Sequence, residues 1–123
     1  MAKFGKILWQ DLTVENAEAI KNFYCEVVGW NSSDVNQGDY NDFNIHPDAT
    51  SDEVIAGICN KRGDIKHFPS QWLLYVTIED LDSSIEKCKN LGGKIIEGPK
   101  TMGKSNYAIV QDPAGAYFVL FQE

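Results

Sequence analysis

The feature that most restricts the fold of this chain is an internal repeat. The stretch Ile7–Asn16 is similar to Gln71–Asp80, which lies 64 positions later. Their last four residues, Thr-Val-Glu-Asn and Thr-Ile-Glu-Asp, match almost completely. Each stretch runs from an apolar, strand-like segment into an acidic helix start. Each is then followed by a helix-length segment that ends at glycine, at Gly29 or at Gly92-Gly93. Because the period is about half the chain, the repeat predicts two copies of one supersecondary unit.

The bulk composition narrows the class of protein. A chain of 123 residues that is 43% hydrophobic and 24% charged is typical of one globular domain. Its net charge of -7 argues against a nucleic-acid partner, since phosphate binding requires clustered lysine and arginine. Apolar runs are too short for a membrane span, and the first residues lack the apolar core of a signal peptide. We therefore expect a cytoplasmic protein with no membrane partner.

The three cysteines, Cys25, Cys59 and Cys88, are widely spaced and form no C-x-x-C pair for zinc or redox chemistry. Cys25 and Cys88 lie within helical patterns, where a free cysteine usually behaves as a small buried hydrophobe. No cofactor is expected from this pattern.

Local patterns place the same order of elements in each unit. In the first, a strand over 6–14 precedes a helix capped by Asn16, in which either Phe23 or Tyr24 faces the core. Residues 31–38 are rich in turn formers, and strands are predicted over 40–45 and 54–60. In the second unit, a strand over 71–78 leads to a helix over about 81–91, with Asp80 or Ser83 as its cap. Strands are then predicted at the ranges 94–97, 105–111 and 116–122.

Four motifs carry a resemblance to a known superfamily. They are Trp9-Gln10-Asp11-Leu12, Phe23-Tyr24-x-x-Val27-Val28-Gly29-Trp30, Leu91-Gly92-Gly93-Lys94 and Asp112-Pro113-Ala114-Gly115-Ala116. In this order they resemble the vicinal oxygen chelate superfamily, which contains glyoxalase I, bleomycin-resistance proteins and extradiol dioxygenases. The closest likeness is to its small glyoxalase-related branch, and it covers essentially the whole chain.

The resemblance implies an α+β fold. Two βαβββ modules, over about 4–62 and about 70–123, would each form an incomplete barrel-like sheet around a cavity within a single domain. It also implies a homodimer and, in metal-dependent relatives, four ligands on the concave sheet face. Those positions fall at Trp9, about Ala56, Leu73 and Val119, none of which can bind a divalent cation.

Two histidines remain as possible metal ligands. His46 and His67 are predicted to lie in polar loops, away from the strand faces. The sequence therefore predicts a protein without a metal, in which a metal-dependent glyoxalase I activity is not expected.

The resemblance and strand alternation together predict the cavity wall. Residues two apart share a face of a strand, so Asp11 joins Trp9 while Leu12 faces the helix. The predicted lining is mostly apolar, which is typical of a small-molecule site. It comprises Trp9, Ala56, Ile58, Trp72, Leu73, Tyr75, Thr77, Tyr117, Val119 and Phe121 beside Asp11. The alternative is that these side chains fill the cavity and leave ordinary core.

Asp11 is the strongest candidate for a catalytic residue. Partial burial beside Trp9 and Leu73 would raise its pKa and make it a better general base near neutral pH. The alternative is a structural role, in which Asp11 accepts hydrogen bonds and helps to close the two modules. Tyr75 is a candidate helper that would orient a ligand oxygen, while Trp30 is assigned to packing.

Three functions remain open at this point. The first is a metal-independent, glyoxalase-like enzyme of lyase type, acting on a small apolar or carbonyl-containing metabolite with Asp11 as base. The second is a non-catalytic binding protein that sequesters a small molecule, as bleomycin-resistance proteins do. The third is a dimer that serves a partner protein. A lone carboxylate favours binding, whereas two titratable groups with separated pKa values favour catalysis.

Overall fold

The chain folds into two copies of the predicted βαβββ unit. A computed structural model describes residues 2–123, apart from the side chain of Asp64. The elements are β1 (Ile7–Val14), α1 (Ala17–Val28), β2 (Asn31–Asn36), β3 (Asn41–His46), β4 (Ala56–Asn60), a short 3-10 helix (Gly63–Ile65), β5 (Trp72–Thr77), α2 (Leu81–Asn90), β6 (Lys94–Met102), β7 (Ser105–Gln111) and β8 (Tyr117–Gln122). The α+β class and the duplicated βαβββ order are confirmed.

The two compact units of the structure are residues 10–72 and residues 2–9 with 73–123. Within the first unit the strand order is β2-β3-β4-β1, and β1 runs parallel to β4. Within the second the order is β5-β8-β7-β6, and β5 runs parallel to β8. Residues 4–9, which the resemblance implies for the first module, thus group with the second.

The N-terminal segment is tied to the end of β5. The backbone N–H of Gly5 donates to the carbonyl oxygen of Thr77 at 2.7 Å, and the N–H of Thr77 donates to the carbonyl of Lys6 at 2.9 Å. The N–H of Lys6 also donates to the hydroxyl of Thr77 at 3.0 Å. The two bonds of Lys6 join positions 71 residues apart in the sequence.

Both helices begin and end as their sequences predict. Asn16 caps α1, since its side chain accepts a hydrogen bond from the N–H of Ala19, and Gly29 ends the helix at a φ of 86°. Asp80, rather than Ser83, caps α2, because its carboxylate accepts from the N–H of Ser83.

Asn60 holds the start of α1 against the sheet. Its Oδ1 accepts the N–H of Ala17 at 3.2 Å, and its Nδ2 donates to the carbonyl of Asn41 at 2.7 Å and to Asp42 Oδ1 at 3.0 Å. These bonds satisfy one of the free N–H groups of the helix start. They also position the carboxyl ends of β1 and β4 against the start of β3.

An aromatic cluster packs beside the carboxyl-terminal half of α1. Trp72 donates from Nε1 to the Tyr24 hydroxyl at 3.0 Å, and the ring of Trp30 packs on both. Tyr24 therefore faces the core, while Phe23 is exposed. The packing role predicted for Trp30 agrees with these contacts.

One segment differs in kind from its prediction. Residues 31–38 have the composition of a turn, yet Asn31–Asn36 forms β2 and pairs antiparallel with the whole of β3. Pairing with a neighbouring strand outweighs the weak strand propensity of asparagine, serine and aspartate.

Candidate functional site

The two units differ in the chemistry of the sheet face that is turned away from their helix. In the first unit, Leu12 pairs with Ile58, and Phe43 with the same Ile58, and all three join the core cluster that packs against α1. The alternate residues therefore occupy the opposite face. That face is mostly polar and includes Asp11, Thr13, Asn31, Ser33, Asp42, Asn44, His46 and Cys59 around Gly57, with Val35 opposite Asp42.

Asp11 lies on β1, at one side of this polar face. It is partly buried and pairs with Gly57 across the parallel β1–β4 ladder, one step from the pair Thr13–Cys59. Glycine leaves no side chain opposite the carboxylate. Asp11 is therefore the acidic residue that β1 offers to this face, as the alternation predicts.

Cys59 is held as a neutral thiol. Burial, together with the nearby negative charges of Asp11 and Asp42, raises the pKa of its thiol to about 12. A thiol with such a pKa is protonated at neutral pH and is a poor nucleophile. The cysteine therefore supplies shape and a weak hydrogen-bond donor beside Asp11, and no thiolate.

This thiol predicts a loss of stability in alkali. The pKa in the unfolded chain, 9.0, lies below the folded value of about 12. Stability is thus intact below pH 9 and is lost as the pH rises towards 12, by up to about 1.4 kcal/mol for each pH unit. Urea unfolding of the wild type and of Cys59→Ala at pH 8 and pH 11 measures the difference. The wild type should lose more, and equal losses in the two proteins would contradict the assignment.

Asp42 has a structural role on the same face. Its Oδ1 accepts from the backbone N–H of Asn60 at 2.9 Å and from the Asn60 amide at 3.0 Å. Its Oδ2 accepts from the Gln37 amide at 3.2 Å. Both carboxylate oxygens are therefore engaged in holding the strands together.

The corresponding face of the second unit is apolar and closed. Tyr75 pairs with Val119 and Thr77 with Phe121, so the predicted orientation of these residues, opposite the α2 face that includes Leu120, is confirmed. Leu73 and Val119 have no exposed surface, and Tyr75 is 3% exposed. A ligand cannot reach these three side chains without displacing others. Trp9, Tyr117 and Phe121 are partly buried.

Three predicted wall residues lie on the helix side instead. Ala56 and Ile58 belong to the core cluster with Leu12 and Ala17, and Trp72 packs on that cluster through Tyr24. Their placement in the cavity wall is therefore wrong. The phase of β4 is shifted by one residue, which moves every side chain to the opposite face. Gly57 and Cys59 take the inward positions.

His46 also departs from its prediction as a loop residue. It ends β3, is 7% exposed, and is hydrogen-bonded to Ser33 and to the carbonyl of Glu53. His67, by contrast, is exposed in the connection between the units' strands.

The residues present do not fit the metal site that the resemblance implies. With the corrected phase of β4, the four positions are Trp9, Gly57, Leu73 and Val119, and none has a donor atom for a divalent cation. Among the side chains that the structure describes, moreover, no three of His, Cys, Asp or Glu lie close enough to share a metal ion.

A polar pocket that the sequence reasoning missed opens in the first unit. It has a volume of about 480 Å³ and lies at the carboxyl ends of β1 and β4. The guanidinium of Arg62 stacks 3.9 Å from the centre of the Tyr40 ring and lies 3.7 Å from the Asp39 carboxylate. The lining residues are Glu15, Asn16, Glu18, Asp39, Tyr40, Asn41, Phe43, Asn60, Lys61 and Arg62. The sequence signal that could have identified this pocket is a set of three asparagines. Asn16 lies shortly after β1, Asn41 begins β3 and Asn60 ends β4.

Comparison with known proteins places the chain in a family. Over 97% of its length it is 25% identical to the anthracycline biosynthesis protein DnrV of Streptomyces peucetius, although it spans about half, 47%, of that protein. A superfamily member from Vibrio splendidus 12B01 superposes with a TM-score of 0.58 at 14% identity, covering 94% of this chain and 97% of that one. Methylmalonyl-CoA epimerase from Mycobacterium tuberculosis superposes with a TM-score of 0.53 at 13% identity, covering 99% and 91%.

The likeness to these structures shows the fold alone. None of the helices within the described residues is long and apolar enough to cross a membrane. The family itself is shown by a sequence model that matches residues 6–120. The chain therefore belongs to the Glyoxalase/Bleomycin resistance protein/Dioxygenase superfamily.

Proposed function

We propose that this protein is a glyoxalase-like enzyme that moves a proton on a small carbonyl-containing metabolite, with Asp11 as the general base and without a metal. The observation that carries the proposal is the position of Asp11. It is a partly buried carboxylate on the polar sheet face, opposite Gly57, which carries no side chain. A carboxylate of this kind can accept a proton from a carbon next to a carbonyl group.

The surroundings of Asp11 support this role. Cys59 stays protonated and Asp42 is committed to Asn60 and Gln37, so neither neighbour competes for the proton. The lack of donor atoms at Trp9, Gly57, Leu73 and Val119 favours chemistry without a shared metal. The burial of Tyr75 counts against its predicted part as a catalytic helper, and we leave it out of the mechanism.

A second candidate is a binding protein without catalysis. It is favoured by the same neighbours, because neither Asp42 nor the protonated Cys59 supplies a second base to complete an acid–base pair with Asp11. In that case the polar face would recognise the carbonyl compound and keep it unchanged. The homodimer and the cytoplasmic location implied earlier remain proposals for either function.

Proton exchange in D2O tests the proposal without knowledge of the net reaction. A panel of small ketones, 2-oxo acids and dicarbonyl compounds is incubated with protein that has been treated with EDTA. We expect the proton NMR signal next to the carbonyl of at least one compound to disappear faster with the protein than without it. A parallel thermal-shift measurement reports binding.

The other outcomes separate the alternatives. Stabilisation of the protein by a compound whose protons do not exchange would identify a binding protein. Exchange that is seen with untreated protein, is absent after EDTA treatment and returns with zinc, nickel or manganese would overturn the metal-free proposal.

A further inference from the structure

A serine and a histidine meet on β2 and β3, two neighbouring strands of the first unit, away from Asp11. Ser33 Oγ on β2 lies 2.8 Å from His46 Nε2 at the end of β3. Both residues belong to the polar face, since Ser33 pairs with Asn44, and Asn31 with His46. A hydroxyl within hydrogen-bond reach of an imidazole is the starting arrangement for nucleophilic catalysis.

The backbone fixes the orientation of the imidazole. His46 Nδ1 lies 2.9 Å from the carbonyl oxygen of Glu53, which can only accept a hydrogen bond, so Nδ1 carries the proton. In the neutral ring, Nε2 then has the free lone pair and Ser33 must donate to it. The base is thus held by a third group on its far side, as the base is in catalytic triads.

The solvent exposure of the two side chains suits a base and its nucleophile. His46 is 7% exposed, whereas Ser33 is an exposed residue that a substrate can reach from solvent. The side-chain amides of Asn31 and Asn44 are carried on the neighbouring positions of the same face. Amide N–H groups are suitable donors to the oxyanion that forms when a hydroxyl attacks a carbonyl group.

We propose that Ser33 and His46 form a nucleophile–base pair that hydrolyses small activated carboxylic esters. Ser33 Oγ bonds to the ester carbonyl carbon while its proton moves to His46 Nε2. The carbon–oxygen bond to the alcohol then breaks, and the alcohol oxygen takes the proton from Nε2. Water attacks the acyl-serine in the same way, which releases the acid and restores Ser33.

This activity is separate from the proton transfer proposed for Asp11. In the order β2-β3-β4-β1, Ser33 and Asp11 lie on the outer two strands, three strand spacings or about 14 Å apart. The pair depends on no residue of that proposal, so the two can fail independently.

Labelling with a fluorophosphonate tests the nucleophile. The serine oxygen bonds to phosphorus, fluoride leaves, and peptide mass spectrometry locates the adduct. We expect the adduct on Ser33, its loss in Ser33→Ala, and its retention in Ser32→Ala, a neighbouring serine on the opposite strand face. Release of p-nitrophenol from p-nitrophenyl acetate should fall in Ser33→Ala and stay unchanged in Ser32→Ala. An unlabelled Ser33, or equal hydrolysis by the two variants, overturns the proposal.

A second measurement tests the base. In His46→Gln, labelling of Ser33 should slow by roughly 100-fold, the usual contribution of a general base. If the variant unfolds, the solvent isotope effect on labelling of the wild type replaces it, and the rate should be lower in D2O than in H2O because the serine proton moves to His46 as the new bond forms. Equal rates in the two solvents would remove His46 from the mechanism.

Discussion

Replacing Asp11 with asparagine should slow carbon-bound proton exchange by about 100-fold or more and leave the melting temperature nearly unchanged. Asparagine has the shape of aspartate but cannot accept the proton, so the step loses its general base. The NMR exchange assay in D2O gives the rate, and thermal unfolding gives the stability. Asp34→Asn, in the exposed part of β2, is the matched control and should behave like the wild type.

The same variant has a second readout that does not require a substrate. Because the charge of Asp11 contributes to the raised pKa of the Cys59 thiol, its removal should lower that pKa. The pH dependence of alkylation at Cys59 measures the change. Unfolding of Asp11→Asn would assign the carboxylate a structural role, and unchanged exchange in a folded variant would exclude it as the base.

The second large effect concerns the closed face of the second unit. Leu73→Ala should lower the free energy of unfolding by roughly 2–5 kcal/mol, since Leu73 is 0% exposed and its truncation leaves a cavity. The adjacent Leu74 is 41% exposed, and Leu74→Ala should cost less than about 1 kcal/mol. Urea denaturation of the two variants provides the comparison.

The result decides between a filled and an open sheet face. If both substitutions lower the free energy of unfolding by the same small amount, the face of β5 has free space and is again a candidate ligand cavity. A large difference instead confines the candidate chemistry to the polar face of the first unit. It would also confirm that the alternative of a self-filled wall, foreseen from the residues, describes this half of the chain.

The architecture could be predicted because the repeat linked β1 to β5, and the family resemblance together with strand alternation assigned the faces of Leu73, Tyr75 and Val119. The helix caps followed from local hydrogen bonding at Asn16 and Gly29. Local physical rules were therefore sufficient for the helix ends, whereas the strand faces also required the resemblance.

The first-unit face could not be predicted in the same way. The phase of β4 depends on the length of the loop after His46, which no local rule determines, and a shift of one residue misplaced Ala56 and Ile58. The polar strand β2 exists because β3 pairs with it, and the meeting of Ser33 with His46 depends on that pairing. Such contacts emerge only when the strands are assembled.

The hydrogen bonds between the N-terminal segment and Thr77 have a consequence for synthesis on the ribosome. Gly5 and Lys6 leave the exit tunnel early but must wait for a partner 71 residues further along. Residues 10–72, by contrast, are contiguous and can begin to assemble as soon as they emerge. Gly5 and Lys6 are thus translated before residues 10–72 and find their places after them.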